Sequence, residues 1–129
     1  MIKGIGIDLI EVKRIKKAMK REGFLERYFT ENEIMMFEEH HMNPLKVAGN
    51  FCTKEAIVKM FGTGFRNIRL IDIEVLRDDL GKPTVHLQHR ATELSSRLRI
   101  DYVHVSISNT ADYVTAVAIG ERLAKHVSH

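Results

Sequence analysis

The sequence contains no tryptophan, one cysteine and two prolines in 129 residues. A single cysteine, Cys52, excludes an intrachain disulfide and fits a reducing compartment, so the cytoplasm is the expected location. No apolar run approaches the roughly 20 residues that span a bilayer. The opening MIKGIGIDLI is too short and too interrupted by glycine for a signal peptide, and no membrane partner is expected. Aromatic residues are 7% of the chain and do not interleave with its basic residues. That removes the stacking surface of a single-strand binder, so no nucleic-acid partner is expected either. The histidines, the pair His40 and His41 included, fall at no metal-binding spacing. Repeats, low-complexity segments, linkers, a Walker sequence and a dinucleotide fingerprint are all missing.

What is present suits one domain over residues 1–129 with a modest core: 44% of residues are hydrophobic and 29% charged. The net charge of +3 matters less than its distribution. Within residues 1–27, Lys3, Lys13, Arg14, Lys16, Lys17, Lys20, Arg21 and Arg27 outnumber Asp8, Glu11, Glu22 and Glu26. This is either a solvated helix face or a docking surface for an acidic partner.

KGIGIDLI alternates as a strand, with Ile5, Ile7 and Leu9 on one face and Gly4, Gly6 and Asp8 on the other. Two glycines beside a carboxylate predict an open shelf for a ligand, or else a tight packing contact. Residues 11–22 read as a helix through Val12, Ile15 and Met19, and FLERY as a turn. Thr30 with Glu33 is a capping box that starts a second helix. Pro44 separates it from a third, Leu45 to Phe61, stopped by Gly62. The second half predicts a hairpin (IDIEVLRD, DLGKP, PTVHL), a helix over 89–99, and two strands, YVHVSIS and YVTAVAI, joined by NTAD. The fold class is α+β, an antiparallel sheet packed with helices.

The third helix carries charges inside an apolar run, FCTKEAIVKMFGTG. At about 100° per residue, Ala48, Phe51, Cys52, Glu55 and Lys59 share one stripe. The rest of the circumference is largely apolar, which predicts burial. Glu55 and Lys59 are then either a solvated i,i+4 pair or part of a cleft. The GTG that follows offers backbone N–H groups and a hydroxyl to phosphate oxygens. Glu55 and Asp8 with phosphate oxygens and waters form the donor set Mg2+ prefers, and a nearby lysine neutralises phosphate charge. That combination favours phosphoryl-type transfer with a metal clamp.

Four stretches in order, GIGIDLIEVKRI, FCTKEAIVKMFGTG, DIEVLRDDLGKP and HVSISNTADYVTAVAI, make the chain resemble the holo-acyl-carrier-protein synthase family, the short phosphopantetheinyl transferases. The resemblance covers roughly residues 2–122. It implies an enzyme of fatty acid biosynthesis that moves phosphopantetheine from coenzyme A to a serine of apo acyl carrier protein and leaves adenosine 3′,5′-bisphosphate. It further implies a homotrimer with sites between subunits and Mg2+ as cofactor. On matching positions, Asp8 and Glu55 become metal ligands, and both are catalytic together with Lys59. Glu55 is the favoured proton acceptor. Lys59, Gly62, Thr63, Gly64, Pro83, Ser108 and Asn109 become coenzyme A contacts, and Arg14 and Arg21 the carrier-docking arginines. Two positions depart from the pattern: Asn50 stands where many members have arginine, and Asn109 where many have histidine, both near the coenzyme A site. Asparagine carries no positive charge, and Arg66, Arg69 and His104 are the neighbours able to compensate. The alternative reading is a non-catalytic module that binds coenzyme A or an acidic carrier.

Overall fold

The computed structural model describes residues 1–62 and 68–124. In order the elements are β1 (Ile2–Glu11), α1 (Val12–Ala18), α2 (Phe24–Tyr28), α3 (Glu31–Glu39), α4 (Pro44–Phe61), a single 3-10 turn (Leu70–Asp72), β2 (Ile73–Arg77), β3 (Pro83–Leu87), α5 (His89–Arg97), β4 (Tyr102–Asn109) and β5 (Tyr113–Glu121). FLERY is the helix α2 rather than a turn, entered through Gly23 at φ 82°. The first helix is shorter than expected and closes at Ala18.

The strands form two antiparallel sheets: a three-stranded one ordered β1-β5-β4 and the β2-β3 hairpin. The first strand therefore pairs with the last, with Asp8 opposite Ala116. One face of the larger sheet carries Gly4, Gly6, Asp8 and Ile10, then Val114, Ala116, Ala118 and Gly120, then Val103, Val105 and Ile107. Helix α4 lies across this face. A Cβ on Gly4 would run into the Met60 carbonyl and one on Gly6 into the Ala56 carbonyl. The glycines are the places where helix backbone meets strand backbone, so the open shelf expected beside Asp8 is filled by α4.

Helix α4 is fixed at both ends by its own sequence. Asn43 accepts from the Leu45 amide at 3.0 Å, Pro44 occupies the first turn where its missing N–H does no harm, and Gly62 takes the left-handed conformation at φ 75°. Between the caps Val47, Ala48, Cys52, Ala56, Ile57 and Val58 are buried against both sheets and the α1–α3 layer. Phe29 and Phe37, edge to face at 5.0 Å, close the core above it. The capping box opens α3 as expected, Glu33 N–H donating to Thr30 Oγ1 and Thr30 N–H to Glu33 Oε1.

The opposite face of the larger sheet is uncovered. Ile5, Ile7 and Leu9 are 62%, 63% and 65% exposed, beside Val117 and Ile119 of β5. Among the described residues no helix is long and apolar enough to cross a membrane.

Candidate active site

The three charges of FCTKEAIVKMFGTG have three different fates. Lys54 is fully buried. Its ammonium donates to Glu33 Oε1 at 2.6 Å and to the carbonyls of Tyr28 (2.9 Å), Leu70 (3.0 Å) and Ile73 (2.6 Å). Burial pulls the Lys54 pKa down and pushes the Glu33 pKa up. Four acceptors around one nitrogen need the three N–H groups of an ammonium, so the pair is charged. The other Glu33 oxygen accepts from Asn50 Nδ2 at 2.9 Å, and Asn50 also donates to the Val75 carbonyl at 2.8 Å. Asn50 is thus interior and does not reach a groove, contrary to the expected place beside coenzyme A. Its Oδ1 is buried without a partner.

Lys59 does not pair with Glu55. It reaches across to β1 and binds Asp8 Oδ1 at 2.8 Å, with Lys59 56% exposed and Asp8 13%. The hydrogen bond to Asp8 raises the Lys59 pKa. The Asp8 backbone is held from behind: its carbonyl accepts from Thr115 Oγ1 at 2.9 Å and Cys52 Sγ at 3.4 Å. Desolvation and then Asp8 push the Cys52 thiol up to about 12, so it is an inert packing group. Thr115 is a contributor to the site that the sequence reading missed, and a polar residue on the strand beside Asp8 is its only advance signal; Cys52 falls on the helix stripe of Glu55 and Lys59.

The Glu55 side chain makes no hydrogen bond to another described residue, and it is half-buried. Desolvation raises its pKa first, the Asp8 carboxylate raises it further, and Lys59 works the other way. The two carboxylates are close enough to repel, and Lys59 bonds only Asp8.

Two grooves meet at Glu55. The inner groove is lined by Asp8, Arg14, Arg21, Phe24, Tyr28, Phe51 and Glu55, a cavity of about 390 Å³. It brings both candidate carboxylates and both docking arginines onto one surface. The outer groove, about 720 Å³, runs between Glu26, Arg27 and Tyr28 on one side and Ile68, Arg69, Leu70 and Ile71 on the other, with Phe51 and Glu55 as its floor. Tyr28, Phe51 and Glu55 belong to both. Tyr28 and Phe51 pack edge to face at 5.7 Å and form the ridge between them. Phe51 falls on the helix stripe of Glu55 and Lys59, whereas Tyr28 went unmarked because FLERY reads as a turn.

The remaining expected contacts lie elsewhere. Gly62 caps α4, while Thr63 and Gly64 fall outside the described residues. Pro83 opens β3 and lines a separate cavity with Lys82, His86, Asp101, Tyr102 and His104. Ser108 is exposed on the uncovered face, in register with Thr115 and Leu9, and so on the side of the sheet away from Asp8. Asn109 ends β4, exposed, with its amide bonded to the Thr110 carbonyl. A single chain therefore joins Asp8, Glu55, Lys59, Arg14 and Arg21, and leaves Pro83, Ser108 and Asn109 apart from them. No cluster of three or more His, Cys, Asp or Glu side chains fit for a metal occurs among the described residues. Any divalent ion at Asp8 and Glu55 would take its other ligands from substrate and water, as Mg2+ commonly does.

The chain belongs to the 4′-phosphopantetheinyl transferase superfamily, whose family profile matches residues 4–118. It is 49% identical over 121 residues to the holo-[acyl-carrier-protein] synthase of Lachnoclostridium phytofermentans, covering 94% of this chain and 97% of that one. Its structure resembles the Neisseria meningitidis holo-[acyl-carrier-protein] synthase at a TM-score of 0.86, with 30% identity over 95% of this chain and all of that one. It also resembles the Bacillus anthracis enzyme solved in complex with CoA (3′,5′-ADP), at 0.79 with 36% identity and 95% and 99% coverage.

Proposed function

We propose that the chain acts as a holo-acyl-carrier-protein synthase: it moves 4′-phosphopantetheine from coenzyme A to a serine hydroxyl of an apo acyl carrier protein. The observation that carries this reading is the meeting of two grooves at Glu55, one rimmed by Arg14 and Arg21 and the other running between α2 and the 68–71 segment. The arginine-rimmed groove suits an acidic carrier, since rim charges raise the rate of encounter and select the partner. The outer groove, with Glu55 on its floor, takes coenzyme A.

In the transfer the serine oxygen bonds to the phosphorus that bears the pantetheine arm. The bond from that phosphorus to the nucleotide oxygen breaks, and its electron pair leaves on adenosine 3′,5′-bisphosphate. The serine proton passes to Glu55, the carboxylate that lines both grooves. Asp8 and Glu55 would hold Mg2+, which supplies positive charge to the diphosphate and the leaving phosphate. The fit rests on two mutually repelling carboxylates facing one groove, of which Lys59 bonds only Asp8. Lys59 is exposed enough to turn from Asp8 to a phosphate.

The uncovered row of Ile5, Ile7 and Leu9 supports a homotrimer built on the larger sheet. In that assembly Pro83, Ser108 and Asn109 would reach coenzyme A from the adjacent subunit, as the site within one chain lacks them. A buried, unpaired Cys52 accords with a cytoplasmic location.

The test is the mass of an apo carrier protein incubated with the protein, coenzyme A and Mg2+. Gain of one phosphopantetheine, lost in Asp8→Ala and Glu55→Ala with folding intact, is the expected result. Coenzyme A or carrier binding without any mass gain would replace the enzyme by a binding module.

A further inference from the structure

Lys54 looks spent on stability, yet the groups it ties are not distributed at random. Its ammonium binds the carbonyl of Tyr28, the last residue of α2, and that of Leu70, in the 3-10 turn. These two residues are on opposite walls of the outer groove. The remaining two bonds anchor the same nitrogen to α3 through Glu33 and to the start of β2 through Ile73. The side chain leaves α4 at the residue before Glu55, so the element that carries the floor of the groove also sets the distance between its walls. No hydrogen bond between backbone groups joins α2 to the 68–72 segment among the described residues. The inner groove has a different support: its far wall is α1 and β1, which Lys54 does not touch.

We propose that Lys54 is a positioning residue for the donor substrate, holding Tyr28 and Leu70 at the separation that lets coenzyme A enter the outer groove beside Glu55. The proposal rests on the assignment of that groove to coenzyme A. Removal of the tie lets α2 and the 3-10 turn drift apart while Arg14, on the α1 wall of the inner groove that Lys54 does not touch, stays in place. The effect is therefore asymmetric between the two substrates, which a general loss of stability is not.

The experiment compares wild type, Lys54→Met and the double variant Lys54→Met/Glu33→Gln at a temperature where circular dichroism finds each folded. Glutamine keeps an acceptor for the Thr30 amide and removes the carboxylate left unpaired by Lys54→Met, so the double variant recovers part of the lost thermal midpoint. We expect the KM for coenzyme A to rise about tenfold in both variants while the KM for the carrier stays within about twofold. Calorimetric affinity for coenzyme A should fall in parallel. A KM for coenzyme A that returns as the thermal midpoint returns, or equal losses toward both substrates, would overturn the proposal and leave Lys54 a stabilising residue. Where Lys54→Met alone does not fold, the double variant decides. Wild type without transfer activity would instead strike at the proposed function, so the two failures are distinguishable.

Discussion

Gly6→Ala tests whether the strand–helix contact beneath Asp8 is as tight as the structure makes it. The added methyl would lie 2.5 Å from the Met60 amide nitrogen and closer still to the Ala56 carbonyl oxygen. Ordinary contacts begin near 3.4 Å, so β1 must retreat from α4 by roughly 1.5 Å. Both obstacles are backbone atoms of a helix buried on nearly every side, so neither can rotate away. Overpacking of this kind costs about 3 kcal/mol. The gain from a less flexible unfolded chain returns about 0.5–1 kcal/mol. A net loss of about 2 kcal/mol lowers the thermal midpoint by roughly 8–10 °C in a domain of this size. Asp8 is two residues along on the same face, so the retreat also pulls it from Lys59 and Glu55, and transfer should fall about a hundredfold. Gly120→Ala is the control, because there the methyl would meet only the side chains of Met60 and Ile100, at 3.1 Å. These can shift, and that variant should stay within about 1 kcal/mol of wild type. Scanning calorimetry and the carrier-mass assay read both. A Gly6→Ala protein with the midpoint and activity of wild type would refute the packing argument.

Glu55→Gln should abolish transfer and yet stabilise the metal-free protein at neutral pH. A raised folded pKa means its stabilisation is full below the unfolded value of about 4.3 and lost as pH rises through the folded value. The midpoint of the variant should therefore overtake that of wild type as pH climbs out of the carboxylate range, and parallel melting curves at all pH values would contradict this. Arg14→Glu with Arg21→Glu should raise the carrier KM and flatten its salt dependence while leaving the KM for coenzyme A unchanged, read by initial rates at several salt concentrations. Thr30→Ala removes both the α3 cap and a 2.6 Å bond to Glu74 and should cost about 2 kcal/mol by urea unfolding. Ile7→Glu should shift the sedimentation of the protein to a monomer.

The parts of the fold visible in the sequence are those governed by short-range pattern. Alternation placed the strands, the Thr30–Glu33 spacing placed the start of α3, and Gly62 marked the end of α4. The pairing of Asp8 with the α4 carboxylate was legible because two independent local oddities, a carboxylate among strand glycines and another in an apolar helix, asked for one explanation. What could not be read depends on long-range contacts. Lys59 shares a helix stripe with Glu55, but its partner is on a strand 51 residues away. Lys54 finds Tyr28, Glu33, Leu70 and Ile73, none of them within a helical turn, and no periodicity encodes that meeting. Asn50 stands beside the site in sequence and inside the core in space, because one helix has faces toward both. The glycine face of β1 looked open because strand alternation says which residues share a face and not what covers it.

The pairing of the first strand with the last has a consequence for the life of the nascent chain. Asp8 leaves the ribosome early, but its strand has no hydrogen-bonded neighbour until β5 emerges more than 100 residues later. Closing so long a loop is slow and must precede the contacts that reward it. Until then β1 is an unpaired apolar edge, and its exposed row of Ile5, Ile7 and Leu9 is a hazard for association with other chains. The pairing that fixes Asp8 opposite Ala116, on the rim of the groove it shares with Glu55, thus waits for the event that completes the sheet.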